Sequence, residues 1–366
     1  MKYVNILLIA ILMYSCANKP TVEYPETRMD TVSDTYFGEV VSDPYRWLED
    51  DRSAETEAWV KAQNLVTYGY LDQIPFRPAL KKRLTELMDY PKYGSPSKVA
   101  GKYYFYKNDG LQNQSVLYEL DSLTAEPKVL LDPNKLSEDG TVALSGLAFS
   151  KDGKYLAYSI ARSGSDWNEI YVMDVASRNL LADKIEWVKF SGIAWQGNGF
   201  YYSAYSKPEA GKEFSNKNEY HKVFYHSIGQ AQSQDPVIFE NKEFPLRNVG
   251  AGVSEDEKFL FITETESTSG NSLWMKDLTK PGSKPVLIAP GFESDFNVVE
   301  HYNGKVYVLT NYKAPNQQLM VFDPAKPELA NWTTIIPEST KVLETASIIG
   351  GQLFIKYLRD ASHHLY

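Results

Sequence analysis

The residues of this chain best placed to do chemistry share one tight polar run, SGSDW at positions 163–167, where Asp166 and Trp167 stand side by side. A carboxylate displayed on such a loop can join a second acid in proton transfer. Glycosidase work would need that second acid about 5 or 9 Å away, and spacing along strands does not supply the pair. The same residues also fit a plain structural role, with Asp166 closing an Asx turn and Trp167 packed between neighbouring sheets. Both readings are open at this level. Ser-His-Asp hydrolysis needs a strained turn that exposes the serine, usually Gly-x-Ser-x-Gly, and the chain has none. Ser165 and Ser272 fall in hairpin loops, where polarity is role enough. His221 and His226 miss the i, i+4 spacing of a helical metal pair and read as satisfied strand or loop histidines.

Other chemistries lack a motif. Without Cys-x-x-Cys, His-Glu-x-x-His or a P-loop, no metal site and no cofactor is expected. The formal net charge of −9, with lysines and arginines scattered, argues against a nucleic-acid partner. The single cysteine stands apart. Lys2 is followed by the apolar run Val4 to Met13 and then by Tyr14-Ser15-Cys16. That run is too short to span a bilayer and suits a signal-peptide core, so residues 1–15 are expected to be a signal peptide. Ser15-Cys16 resembles a bacterial lipobox, although Tyr14 stands where a small residue is usual. Cys16 is the expected lipidation site, which would make the product an extracytoplasmic, periplasmic lipoprotein held to the membrane. Ordinary secretion is the alternative.

The elements that must position Asp166 follow a repeat. From Asp152 to Asp174 the chain passes a glycine turn, Tyr155 to Ile160, the polar loop, and Ile170 to Val172, which predicts two strands and a hairpin. Copies are anchored at Gly101, Gly153, Gly199, Glu257, Gly304 and Gly351, spaced 52, 46, 58, 47 and 47 residues apart. A period of about 50 residues with aromatic-rich strands is that of β-propeller blades. Extra β-rich runs between the copies, such as LSGLAFS and FSGIAW, give about four strands per blade. The fold class is therefore mainly β: a propeller over 91–366, about five and a half blades, with its glycines at equivalent hairpin turns. The final copy stops at Tyr366, inside its second strand and before the closing aspartate seen at Asp121, Asp174 and Asp323.

Ahead of the blades, residues 16–35 are polar and proline-containing and read as a tether. Residues 36–90 read as a helical arm. Ser53 can cap a first helix carrying Trp59, Ala62, Val66 and Tyr70. Pro78 suits the first turn of a second helix with Leu80, Leu84, Leu87 and Met88, stopped by Pro91.

Several stretches, SDPYRWLEDD from Ser42, KNDGLQNQSVLY, LDPNKLSEDGTVAL, SGSDWNEIYVMDV and WVKFSGIAW, resemble the prolyl oligopeptidase family of serine peptidases across residues 30–366. The resemblance implies a helical arm, a seven-bladed propeller and a C-terminal α/β-hydrolase domain on which the arm packs and which holds the Ser, Asp and His of the triad. No segment here resembles that domain, so no catalytic residue is carried over and the chain alone is expected to be inactive. The resemblance also implies cleavage of short proline-containing peptides after proline, with the propeller capping the site against large proteins. Phe190, in WVKFS, matches a phenylalanine lining the substrate cavity beyond the proline pocket. Asp166 matches an acid facing the catalytic domain near its substrate-binding arginine, and Val249 and Thr268 fall where the cavity wall continues. A lipid-anchored propeller that binds or assembles without catalysis remains the alternative.

Overall fold

A computed structural model describes residues 22–366; the apolar leader and Cys16 lie outside the described residues. The chain divides into two compact units, Met1–Tyr90 and Pro91–Tyr366, and each is described by itself.

In the first unit the strands Ser33–Tyr36 and Glu39–Ser42 form a hairpin. Phe37 and Gly38 both take positive φ, 52° and 91°, as a two-residue hairpin turn requires. Helix α1, Ala54–Leu71, starts at Ser53, whose hydroxyl accepts the Thr56 N–H at 3.0 Å, with Glu55 and Glu57 in its first turn. Helix α2, Arg77–Met88, carries Pro78 at its start, where a missing N–H costs nothing. Its apolar stripe, Leu80, Leu84, Leu87 and Met88, is about half exposed.

The second unit is built from antiparallel sheets, called blades I to VI. Blade I comprises Lys102–Asn108, Val116–Leu120 and Lys128–Leu131, with Lys92–Tyr93 and Ser97–Val99 both paired to Lys102–Asn108. Blade II is Val142–Phe149, Tyr155–Arg162, Asn168–Asp174 and Leu180–Val188; blade III is Ala194–Gln196, Gly199–Ala204, Lys222–Ser227 and Val237–Glu240, and the single Val188–Ala204 pairing links the two into one eight-stranded sheet. Asn248–Val253, Phe259–Thr265, Ser272–Asp277 and Val286–Ala289 form blade IV. Blade V is Phe296–Tyr302, Lys305–Thr310, Gln318–Phe322 and Thr333–Ile336, and Val342–Ile349, Gln352–Arg359 and Ser362–Leu365 give three strands of blade VI. This is the propeller that the repeat predicts.

One sheet cannot bury its own apolar face, and each core here lies between consecutive blades. Tyr104 and Leu117 meet Leu156 and Tyr158 between I and II; Val172 and Ile185 meet Phe200 and Tyr202 between II and III. The series continues with Val223 and Leu260, then Phe261 and Phe322, then Leu319 and Leu343.

The expectation that every anchor glycine occupies an equivalent turn needs correcting. Gly101, Gly304 and Gly351 sit at φ 87°, 71° and 80°, each preceded by a second positive-φ residue. Gly153, at φ 69°, closes a different turn, Ser150 to Lys154, in which its N–H donates to the Ser150 carbonyl at 2.9 Å. Glu257 fills the same slot in blade IV, at φ 57°, with its N–H on the Ser254 carbonyl at 2.8 Å. Gly199 is a strand residue and the turn residue is Gly197, at φ 57°. Glycine is needed at 199 for another reason: a Cβ there would stand 2.1 Å from the His226 carbonyl oxygen.

Antiparallel meanders fix which loops share a face. The turns between first and second strands lie on one side. The hairpins between second and third strands, and the connections from blade to blade, lie on the other. Asp166 belongs to such a hairpin in blade II, and Phe190 to the connection from blade II to III.

Candidate functional site

Asp166 and Phe190 are 24 residues apart and meet around Lys189. The Lys189 ammonium lies 3.5 Å from the Asp166 carboxylate, 4.9 Å from the Trp167 ring centre and 5.5 Å from that of Phe190. Cation–π attraction and the ion pair thus hold one cation among three side chains. Asp166 remains 73 % exposed at its side chain and Phe190 59 % exposed. Phe190 belongs to no inter-blade core. Of the two residues that the resemblance sets along a cavity wall, Val249 is buried in the core between blades III and IV, and Thr268 is exposed.

Trp167 packs between blades. Its ring makes edge contacts with Trp187 and Tyr205, and its indole N–H donates to the Glu213 carbonyl at 2.8 Å. The short turn is closed by the Ser165 hydroxyl, which accepts the Trp167 N–H at 3.0 Å. Asp166 therefore makes no Asx turn, and its carboxylate is left for Lys189. The polar loop from Ser206 to His221 joins Trp167 and Tyr205 around a cavity of about 180 Å³, with Lys207, Glu213, Lys217 and Glu219 among its walls. A second cavity, of about 350 Å³, is lined by the inner strands of blades IV and V, including Gly250, Gly252, Asn297 and Glu300.

The backbone that presents Phe190 is strained. Trp187 and Phe190 take φ of 61° and 52°, and Tyr220 across the rim takes 59°. A left-handed conformation costs a residue with a Cβ about 1–2 kcal/mol, so three bulky aromatics held there need fixing by their surroundings. The Trp187 carbonyl accepts the Tyr205 N–H at 3.3 Å, and the Ser191 hydroxyl accepts the Ser203 N–H at 2.7 Å. His221, 1 % exposed, bonds to the Lys189 carbonyl through Nε2 at 2.9 Å and accepts the Val249 N–H at Nδ1, 3.1 Å. Burial pushes its pKa down to about 4. The neutral tautomer, with its proton on Nε2, satisfies both bonds.

His226 is the second residue whose partners the sequence did not disclose. Its ring nitrogens face two buried carboxylates, Asp235 at 2.9 Å and Asp183 at 3.0 Å. The Gly229 N–H also donates to Asp183, at 2.6 Å, and the Tyr202 hydroxyl to Asp235, at 2.8 Å. Burial disfavours the charged imidazole, but the hydrogen bonds to Asp235 and Asp183 outweigh it and raise the pKa above 6.5. Among the described residues no group of His, Cys, Asp and Glu could hold a metal ion.

Residues 24–366 match the family described as prolyl oligopeptidase, N-terminal beta-propeller domain. The chain belongs to the prolyl oligopeptidase family. It is 43 % identical over 368 aligned residues to a prolyl endopeptidase of Elizabethkingia meningoseptica, covering 99 % of this chain and 52 % of that protein. Prolyl oligopeptidase A of Amanita bisporigera is 34 % identical, with 94 % of this chain and 50 % of that one covered. The solved structure of Galerina marginata prolyl oligopeptidase B, bound to a 35mer hydrolysis and macrocyclization substrate, superposes with a TM-score of 0.82 at 29 % identity, covering 96 % of this chain and 53 % of the other. The chain thus spans about half the length of the curated relatives it matches. Family membership makes the rim that bears Asp166 and Phe190 part of a prolyl oligopeptidase propeller.

Proposed function

We propose that this chain is the N-terminal, substrate-gating part of a serine endopeptidase that hydrolyses short peptides after proline. The propeller caps the active site and excludes large proteins, while a C-terminal α/β-hydrolase domain supplies the catalytic Ser, Asp and His. The observation that carries this reading is the match along the whole chain to prolyl endopeptidases about twice as long. The exposed Asp166 and Phe190, on one propeller face, supply a charge and an aromatic ring that a short peptide could meet. Residues 17–366 alone are expected to leave a proline-containing reporter peptide uncut. Protein made from the full reading frame is expected to cleave it after proline, and to stop when the serine of its Gly-x-Ser-x-Gly turn becomes alanine. Robust cleavage by residues 17–366, or a stop codon directly after Tyr366 with a well-folded product, would overturn the reading.

By the same proposal the protein works outside the cytoplasm, in the periplasm, anchored to a membrane through lipid on Cys16. Labelled fatty acid is expected in the wild-type protein and absent from Cys16→Ala. Equal labelling of the two would exclude the anchor.

A further inference from the structure

We propose that His221 is a positioning residue, the bolt that holds the strained Trp187–Phe190 turn and so sets where the Phe190 ring stands for an incoming peptide. It belongs to blade III, immediately before Lys222–Ser227. Through Nε2 it reaches the Lys189 carbonyl on the connection from blade II, and through Nδ1 the Val249 N–H on the inner strand of blade IV. One imidazole therefore ties together backbone from three successive blades, at the residue adjacent to Phe190.

The imidazole is itself held. Tyr205 stacks on it at 4.4 Å between ring centres with 21° between planes, and the Tyr205 hydroxyl donates to the Asn248 side-chain oxygen at 2.7 Å. Stacked on Tyr205 and almost wholly buried, the imidazole is held in place, so the Lys189 carbonyl is fixed in direction. That carbonyl begins the peptide unit leading into Phe190, whose φ of 52° an L-residue seldom adopts unsupported. With the bolt removed, the turn can relax toward ordinary backbone, which swings the exposed ring and releases the Lys189 side chain from Trp167. The fixing of the turn stands on these contacts alone. What Phe190 meets rests on the peptidase reading above.

The test uses the protein made from the full reading frame, with His221→Leu, His221→Gln and Phe190→Ala compared to wild type. Trypsin cuts after lysine, and the Lys189 side chain, 12 % exposed and folded onto Trp167, is withheld from it in the intact turn. Peptide mapping is expected to show His221→Leu nicked after Lys189 about tenfold faster, the change in open population that one lost hydrogen bond of about 1.4 kcal/mol produces. For a proline-containing peptide, KM should rise by a similar factor of about ten while kcat stays within about twofold. His221→Gln keeps a donor and an acceptor on one side chain and should restore both readouts toward wild type, which a merely space-filling role would not predict. Should His221→Leu prove too unstable to purify, His221→Asn, too short to span both partners, takes its place. Wild-type nicking in the leucine or asparagine variant would overturn the bolt. Faster nicking with unchanged KM would overturn the positioning role. An unchanged KM in Phe190→Ala would instead place the failure on the peptidase reading of Phe190, leaving the nicking result to decide on His221.

Discussion

His226→Leu is expected to lower the unfolding free energy by about 3–5 kcal/mol, the cost of removing one member of a buried charged cluster and leaving the others unneutralised. Asp183 and Asp235 are almost wholly buried, and without the imidazole two carboxylates would share a site from which water is excluded. Urea unfolding monitored by tryptophan fluorescence measures the loss; a change below about 1 kcal/mol would show that the cluster is no more than an ordinary set of hydrogen bonds. The dependence on pH has a definite sign. The folded protein holds the His226 proton more tightly than the unfolded chain, so folding takes up a proton between 6.5 and the raised folded-state value. The stabilisation is therefore complete below 6.5 and is lost as pH rises through that higher value. His226→Leu should lack this component of the pH dependence.

Phe200→Ala and Phe190→Ala should separate two phenylalanines only ten residues apart in sequence. Phe200 is fully buried and lies 5.2 Å from the Trp195 ring and 5.3 Å from His226, in the core between blades II and III. Its truncation should cost about 3–5 kcal/mol through lost burial and the cavity left behind. Phe190→Ala removes an exposed ring and should change stability by no more than about 0.5 kcal/mol, while weakening peptide binding in the full-length protein. A large loss of melting temperature with unchanged kinetics in Phe190→Ala would assign that ring to packing. Phe200 and His226 are in contact, so their substitutions should not be additive.

The blades were legible because a strand, a two-residue reversal and a closing aspartate recur at a nearly fixed interval. Two of the three closing aspartates proved to be local devices: Asp174 and Asp323 each accept a backbone N–H two or three residues ahead, at 2.8 and 2.9 Å, whereas the Asp121 carboxylate takes the Lys128 ammonium at 2.9 Å instead. Legibility failed where glycine was read as a turn marker. At Gly199 the constraint is a backbone passing too close for a side chain, while Glu257 takes the left-handed slot because the Ser254 and Asp256 side chains brace that turn. Helices α1 and α2 were readable from Ser53 and Pro78, since capping is local chemistry. Of the rim, Asp166 stands out in the SGSDW run itself, and Phe190 comes from family resemblance. Lys189 reaches Asp166 across 23 residues, His221 reaches its two partners across 32 and 28, and His226 takes Asp235 from 9 residues away and Asp183 from 43. No periodicity encodes such distances, because the blade packing alone brings them together.

Placing every core between two neighbouring blades makes this domain an elastic chain of couplings more than a single solid. A perturbation inside the wedge shared by IV and V, such as one at Phe296 or Trp332, meets the wedge shared by I and II only after crossing two intervening seams. Each seam can absorb part of the shift. The Lys151–Glu255 ion pair is an exception, since it joins the turn of blade II to that of blade IV and passes over blade III. The rim around Lys189, on the opposite face, has its own tie of the same span through His221. Blades II and IV are thus linked across blade III at both of its ends, by the Lys151–Glu255 pair on one face and the His221 bonds on the other, so the aromatic rim sits on a sector tied at both faces.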